Sequence, residues 1–586
     1  MGAYTFDGKI PIIRSEFLFL GSISLIVSLR MTKETKSHYE VIVVGAGVAG
    51  IYQLKCLVDL GIDTTVLDSA PDLGGTWYWN RYPGCRFDSE SYTYGFSFSR
   101  ELLDEWHWKE RFSSQPENLR YLNYVADKFD LRRHMQFNCR LDAAHFDETC
   151  DLWRLKLDSG REFTCRFLVL AVGLLSAPTM PRLEGIESFK GRSFHTYYWP
   201  HEPLDLTGKK VAVVGTGATG IQIIAEISDK VGELTVFQRR PNWSAPLNNS
   251  AISETEMADI RVRYDEIFAA CARSPGAFLH EPDHRGFYEV SREERLKLWD
   301  KLYEGPGFGI WLANFREIFV DEAANAEFSA YIAGRIRRRV KDQAVAEKLI
   351  PRDHGFGVQR VPLETDYFEA FNRDNVHLID ISETPIERIT EKGIRTTVRD
   401  YEFDIIVYAT GFDAITGAYD RIDIKGIGGA TLFEKWKDAP STFLGMLVNG
   451  FPNLLMPTGP QSASATTNFP RGIENGVNWC MGLFQHMWNC GYTRADASRE
   501  AEQRWTAHVA KMYEIMLMRK AKSWFTGYNS NVAGHEAGKI RYFLYNGGTP
   551  KYVGIISDVA AKGYEGIVLS AIARPEPNAM RAHISA

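Results

Sequence analysis

Short apolar runs ending in glycine turns organise the chain. Val41, Ile42, Val43 and Val44 form a continuous β-branched run before Gly45, an amphipathic stretch follows over 48–60, and a second strand-like run, Thr64-Thr65-Val66-Leu67-Asp68, comes after it. Continuous runs of this length predict strands buried on both faces, and the order strand, helix, strand predicts a parallel βαβ unit. The pattern recurs, with a strand at 209–215, a helix over 220–228 and a next strand at Glu233–Gln238. Between about 245 and 350 the period becomes helical and charged, most clearly over 291–300 and 335–341. Strand-like runs return at Val376–Asp380 and at 403–408, the latter ending in Ala409, Thr410 and Gly411. The fold class expected is α/β, with two dinucleotide-binding, Rossmann-like units and a helical insertion in the second.

Each unit carries a glycine fingerprint at its strand end. The first is Gly45-Ala46-Gly47-Val48-Ala49-Gly50 and the second Gly215-Thr216-Gly217-Ala218-Thr219-Gly220. A residue without a side chain at such a turn lets the backbone approach a pyrophosphate, and the helix N-terminus behind it favours negative charge. The two units differ at the end of their second strand. Asp68 ends the first and can accept from a ribose hydroxyl, whereas Arg239 and Arg240 end the second and can pair with a 2′-phosphate. FAD is therefore expected in the first unit and NADPH in the second.

At 586 residues the chain exceeds the size of a single core. The expected division is an N-terminal extension over 1–37, the first part of an FAD-binding domain over 38–195, an NADP-binding domain over 196–400 with its helical insertion at about 245–350, and the second part of the FAD-binding domain over 401–586. A formal net charge of -6 excludes a nucleic-acid footprint, and 45% hydrophobic residues exclude a largely disordered chain. The eight cysteines include no C-x-x-C pair. That implies a reducing compartment, with no structural metal, and counts against a disulfide reductase. The apolar run 17–29 falls short of the about 20 residues that span a bilayer, so a cytoplasmic protein without a membrane partner is expected.

Two further segments carry candidate chemistry. Gly74-Gly75-Thr76-Trp77-Tyr78-Trp79-Asn80-Arg81-Tyr82-Pro83-Gly84-Cys85-Arg86-Phe87-Asp88 combines glycines, a wall of aromatics and one carboxylate. Phe189-Lys190-Gly191-Arg192-Ser193-Phe194-His195-Thr196-Tyr197-Tyr198-Trp199-Pro200 lies between the two fingerprints and fits F-x-G-x-x-x-H-x-x-x-W-P. The first segment fits [A/G]-G-x-W-x-x-x-x-[F/Y]-P-[G/M]-x-x-x-D at every fixed position. Together these resemble the two signatures of the Baeyer-Villiger monooxygenases, and the resemblance extends from about residue 38 to Leu569.

The resemblance implies an FAD-dependent enzyme that uses NADPH and O2 to convert a ketone to an ester or lactone through a C4a-peroxyflavin. It assigns Asp88 a place beside the flavin and an active-site arginine, and the segment 351–367 supplies that arginine as Arg360. A fixed guanidinium there stabilises the peroxide anion and then the charge on the tetrahedral adduct. Cofactor contacts carry over to Gly45, Gly47, Gly50, Asp68, Gly75, Thr76, Trp77, Asp88, Tyr94 and Leu141, and to Gly215, Thr216, Gly217, Ala218, Thr219, Gly220, Gln222, Arg239 and Arg240. Trp524, in a segment resembling the family's mobile loop, is a further cofactor and substrate contact, and 459–468 is the expected substrate-pocket loop. His195 and Trp199 receive a conformational role on the linker.

Two departures stand out. Gln359 replaces the usual Lys before Arg360, removing one cation from the 2′-phosphate site, and Asp68 replaces the usual Glu. Two alternatives remain open here: a flavin-containing monooxygenase that oxidises sulfur or nitrogen, and a non-catalytic FAD/NADP-binding regulatory protein. Trp199 weighs against the first, because that group usually carries Tyr or Phe there. The presence of both Asp88 and Arg360 weighs against the second.

Overall fold

The computed structural model describes residues 36–535 and 539–571, so the apolar run 17–29 lies outside the described residues. An eight-stranded sheet carries the first glycine turn. His38–Val44 runs parallel to Thr64–Leu67 on one side and to Glu162–Leu170 on the other. Its side chains divide between two cores, Val41 and Val43 into one, Ile42 and Val44 into another. A strand covered on both faces has no use for a polar residue, which accounts for the unbroken apolar run. Two late segments, Asp423–Lys425 and Leu454–Leu455, join this sheet in parallel beside Leu141–Asp147 and Glu162–Leu170. The long helix Phe469–Cys490 packs on the helix Val48–Asp59, where Tyr52 donates to Asn478 Oδ1 at 2.7 Å.

A second sheet has five parallel strands in the order Val376–Asp380, Glu233–Gln238, Lys210–Val214, Ile405–Tyr408, Arg192–His195. Its central strand again feeds two cores, Val211 and Val213 facing one and Ala212 and Val214 the other. The division expected at 195/196 and 400/401 cuts across this sheet and is corrected here. Arg192–His195 pairs with Ile405–Tyr408, and the latter also pairs with Lys210–Val214, so both flanking segments belong with the second glycine turn. The following helix, Ala218–Ile227, begins two residues earlier than expected because Gly217 is its N-cap.

Between Ala245–Pro246 and Leu363–Glu364, which pair in parallel, the chain runs through six α-helices from Glu254–Val262 to Gln343–Leu349. Ser253, Ser291, Asp321 and Asp342 cap four of them by accepting from backbone N–H groups one turn on. Of the basic run at 335–341, Arg337, Arg338 and Lys341 are exposed, whereas Arg339 is bound into the fold. Arg339 places Nη1 2.6 Å from Glu364 Oε1 and Nε 2.6 Å from Glu369 Oε1, which ties the helix Glu322–Arg339 to the strand Leu363–Glu364. Among the described residues no helix is long and apolar enough to cross a membrane.

Candidate active site

Both glycine turns open on one cavity of about 1630 Å³. Single-ligand pockets run to about 300–1,000 Å³, so this one has room for more than one molecule. At the first turn Gly45 has φ +108, and a Cβ there would lie 2.4 Å from Ala171 O. At the second, Gly215 has φ +109, with a Cβ 2.6 Å from Ala409 O. The two sites are thus built alike, each turn wedged against the end of a neighbouring strand.

Gly47 and Gly75 meet back to back. A Cβ on Gly75 would lie 2.7 Å from Gly47 Cα, so the two glycines form one bare patch of backbone on the cavity wall. Gly217 has only empty space around its missing Cβ, as expected where a ligand is to approach. Gly50 and Gly220 do something else, and their expected contact with a dinucleotide is corrected. Neither lines the cavity, and a Cβ would stand 1.7 Å from Gly45 O on Gly50 and 2.2 Å from Gly215 O on Gly220. Their smallness lets the helix pack on the turn.

The remaining expected contacts all line the cavity: Asp68, Thr76, Trp77, Asp88, Tyr94, Leu141, Thr216, Ala218, Thr219, Gln222, Arg239, Arg240, Arg360 and Trp524. Asp68 accepts from Ala46 N–H at 2.5 Å and from Ala70 N–H at 2.7 Å, so it braces the first glycine turn while keeping lone pairs for a hydroxyl. Burial raises its carboxyl above the ordinary range, against the pull of those two N–H groups. Trp77 Nε1 donates to Tyr94 OH at 3.0 Å, and Tyr94 stacks on Phe87 at 4.2 Å, forming an aromatic wall.

The two nucleotide units touch through this same segment. Gln222, on the helix Ala218–Ile227, accepts from Tyr82 OH at 2.8 Å and donates to Arg86 O at 3.0 Å. Gly84 permits the approach, since a Cβ there would lie 2.8 Å from Gln222 O.

At the centre, Arg360 Nη2 lies 2.6 Å from Asp88 Oδ2. The Asp88 side chain is 1% exposed and that of Arg360 32%, so the acid is sealed behind an arginine that faces the cavity. Leu363 N–H also reaches Asp88 Oδ2 at 3.4 Å, while Oδ1 has no partner. Burial pushes the Asp88 carboxyl above the ordinary carboxylate range, and the Arg360 charge opposes that shift. The partly exposed Arg360 guanidinium and the bare glycine patch line the same cavity, which fits a ligand with a polar edge such as a flavin ring.

The expected 2′-phosphate side is more crowded than the sequence indicated. Arg239 donates to Ser530 Oγ, and Arg240 donates to Lys522 O at 3.1 Å and lies 5.3 Å from the Tyr528 ring. Both arginines therefore hold the segment that carries Trp524. Arg240 also lies 3.5 Å from Asp353, whose other oxygen is 2.6 Å from His354 Nδ1. His354 Nε2 in turn is 2.7 Å from Gln359 Nε2, and Gln359 donates to Asn242 Oδ1 at 2.9 Å. The residue in place of the usual Lys is thus a bridge in a polar chain. Asp353, His354 and Asn242 had no signal in the sequence, because nothing local marks side chains brought together across the fold.

Comparison with known proteins places this architecture. Residues 38–249 match the FMO-like family, described as flavin-binding monooxygenase-like. The chain is 43% identical over 549 residues to 2-oxo-Delta(3)-4,5,5-trimethylcyclopentenylacetyl-CoA monooxygenase of Pseudomonas putida, spanning 92% of this chain and 100% of that protein. It is 38% identical over 540 residues to a Baeyer-Villiger monooxygenase of Pseudooceanicola batsensis, spanning 92% and 97%. The chain belongs to the Baeyer-Villiger monooxygenases. Its fold matches the crystal structure of OTEMO in complex with FAD and NADP at a TM-score of 0.87, with 43% identity and coverage of 91% of this chain and 100% of that one.

In this Baeyer-Villiger monooxygenase His195 is buried, and its ring is fully used. Nδ1 accepts from Tyr197 N–H at 3.1 Å, so the proton is on Nε2, which donates to Gly411 O at 3.1 Å. Burial lowers its pKa to about 4. A neutral imidazole committed at both nitrogens joins the linker to the turn 409–411 and has no proton to exchange with a substrate.

Proposed function

We propose that this Baeyer-Villiger monooxygenase binds FAD at the Gly45–Gly47–Gly75 patch and NADPH at the Gly215–Gly217 turn, and converts a ketone to an ester or lactone with O2. The observation that carries this reading is the Asp88–Arg360 pair, 2.6 Å long, on a cavity that both glycine turns share. When bound, FAD reduced by NADPH would supply the electrons that activate O2. Arg360 presents a fixed positive charge to the negative charge that builds on oxygen as the ketone carbon is attacked. Asp88 holds that guanidinium in place and, being buried, keeps it from turning to solvent.

Trp524 closes the cavity beside Arg239 and Arg240, so filling of the second nucleotide site and closure over the substrate act together. The aromatic wall of Trp77, Phe87 and Tyr94 excludes water. Ala465, Thr466 and Thr467 line the cavity from the loop expected to form the substrate pocket. All eight cysteines are free, and we place the protein in the reducing cytoplasm. The test is product analysis: purified protein with NADPH, O2 and a panel of cyclic and aryl ketones gives esters or lactones, one per NADPH consumed. NADPH oxidation yielding only H2O2 across the panel contradicts the assignment.

A further inference from the structure

A second acid-base pair hangs from the same short segment as Asp88. Glu90, whose side chain is 5% exposed, places Oε1 2.8 Å from Nε2 of His280, and His280 lines the cavity. Asp88 and Glu90 are two residues apart, so their Cα atoms are separated by at most about 7 Å. Each reaches a partner from a distant part of the chain, Asp88 to Arg360 and Glu90 to His280. The loop beyond Asp88 thus presents two polar heads to the cavity, one behind each carboxylate.

The chemistry of the second pair is incomplete. Nε2 of His280 is buried against Glu90 but lies off the line of a hydrogen bond, and Glu90 Oε2 has no partner at all. The ring's other nitrogen, Nδ1, has no hydrogen-bond partner among the described residues, and on one side it meets residue 309, where a Cβ would stand 3.5 Å away at ordinary contact distance. Around it the wall is apolar. Phe278 meets Phe308 edge-on at 5.3 Å, and Phe308 meets Trp311 at 5.7 Å. Trp311 lies against Gly357, where a Cβ would be 2.5 Å from its Nε1, three residues before Arg360. One imidazole thus lines the cavity in an aromatic wall, next to the segment that carries Arg360.

We propose that His280, positioned by Glu90, is a specificity-determining residue that binds an oxygen of the substrate remote from the reacting carbonyl, and that the preferred substrates are hydroxylated ketones. A hydroxyl satisfies Nδ1 in either protonation state of the ring, since it can donate to the lone pair or accept from an N–H. A plain ketone leaves Nδ1 facing an apolar molecule with no partner, and a site built for a hydroxyl discriminates against the analogue that lacks one.

This inference rests on the ketone-oxidising reading, and the experiment separates the two. Ketones of several ring sizes and aryl ketones are each paired with a counterpart hydroxylated away from the carbonyl, and kcat and KM are measured for wild type, His280→Leu, His280→Asn and Glu90→Gln. Retained flavin absorbance serves as the check on folding. Wild type is expected to favour the hydroxylated member through KM. His280→Leu reduces that preference about tenfold or more, the worth of one hydrogen bond to a buried group. His280→Asn restores part of it, and Glu90→Gln weakens it through KM with little change in kcat. Equal effects of His280→Leu on both members of every pair, or no preference in wild type, overturn the proposal while leaving the activity standing. Failure of wild type to oxidise any ketone overturns the underlying reading, and this inference with it.

Discussion

Nε2 of His195 donates to the carbonyl of Gly411 at 3.1 Å, joining the fingerprint histidine to the glycine turn after Ile405–Tyr408. Phe412, the next residue, packs edge-on against His195 at 5.5 Å, and Asn529 of the Trp524 segment donates to Phe412 O at 2.8 Å. The linker, the second sheet and the segment that carries Trp524 therefore meet at residues 411 and 412.

That arrangement makes His195 a pH-sensitive strut. Its pKa falls from 6.5 to about 4 on folding. Between those values the unfolded chain binds more protons than the folded one, so stability rises with pH across the window and is lost as pH falls below 6.5 toward 4. The full contribution is about 3 kcal/mol. Tm measured from pH 7.5 to pH 4.5 is expected to decline less steeply in His195→Asn than in wild type, from a lower starting point. Parallel pH profiles contradict the assignment.

The glycines of one motif separate into two kinds. Gly217→Ala adds a Cβ to empty space at an ordinary backbone angle, φ -77, so the variant is expected to fold with unchanged Tm. The added methyl occupies the ground that a dinucleotide needs, and Kd for NADPH is expected to rise about tenfold or more. Gly50→Ala drives a Cβ into the Gly45 carbonyl, a clash between backbone atoms that no rotamer relieves, and is expected to yield little folded protein. Soluble yield, Tm and NADPH titration by fluorescence check both.

Arg240 and Arg239 are the cations at the expected 2′-phosphate site. Arg240→Ala is expected to raise KM for NADPH by about tenfold or more, the range of a lost charge-assisted hydrogen bond, and to change KM for NADH much less. A similar rise for both cofactors would instead assign Arg240 to holding Lys522 and Tyr528.

Arg339 belongs to stability alone. Its partner Glu364 has a fully buried side chain, so Arg339→Ala strands a carboxylate in the core at a cost of about 3–5 kcal/mol. The double replacement Arg339→Met with Glu364→Leu is expected to recover most of that loss. Thermal unfolding of the three proteins checks it.

The features legible in the sequence were those written in local pattern. Apolar runs ending at Gly45 and Gly215 announced their strands, and the resemblance carried by the segment from Gly75 to Asp88 implied a carboxylate beside an arginine, where the structure finds Asp88 facing Arg360. What could not be read was pairing over distance. The run 405–408 looks the same whichever sheet receives it, and its partners Arg192–His195 and Lys210–Val214 follow from packing of the whole fold. Gly50 and Gly220 share a motif with ligand-facing glycines, and only the helix packing on the turn distinguishes them. Glu90 and His280 lie in unremarkable surroundings along the chain, and their contact arises because the helical region folds back over the segment after Asp88.

The measurement that tests the central claim most directly follows both halves of the reaction in Arg360→Ala. Flavin reduction by NADPH is timed anaerobically, and ester and H2O2 are quantified in air with an accepted ketone. The account predicts that reduction persists, that ester formation falls by about 10²–10³ as for a lost charge-stabilising donor, and that the oxygen consumed appears as H2O2. Ester formation at the wild-type rate would contradict the role of the Asp88–Arg360 pair.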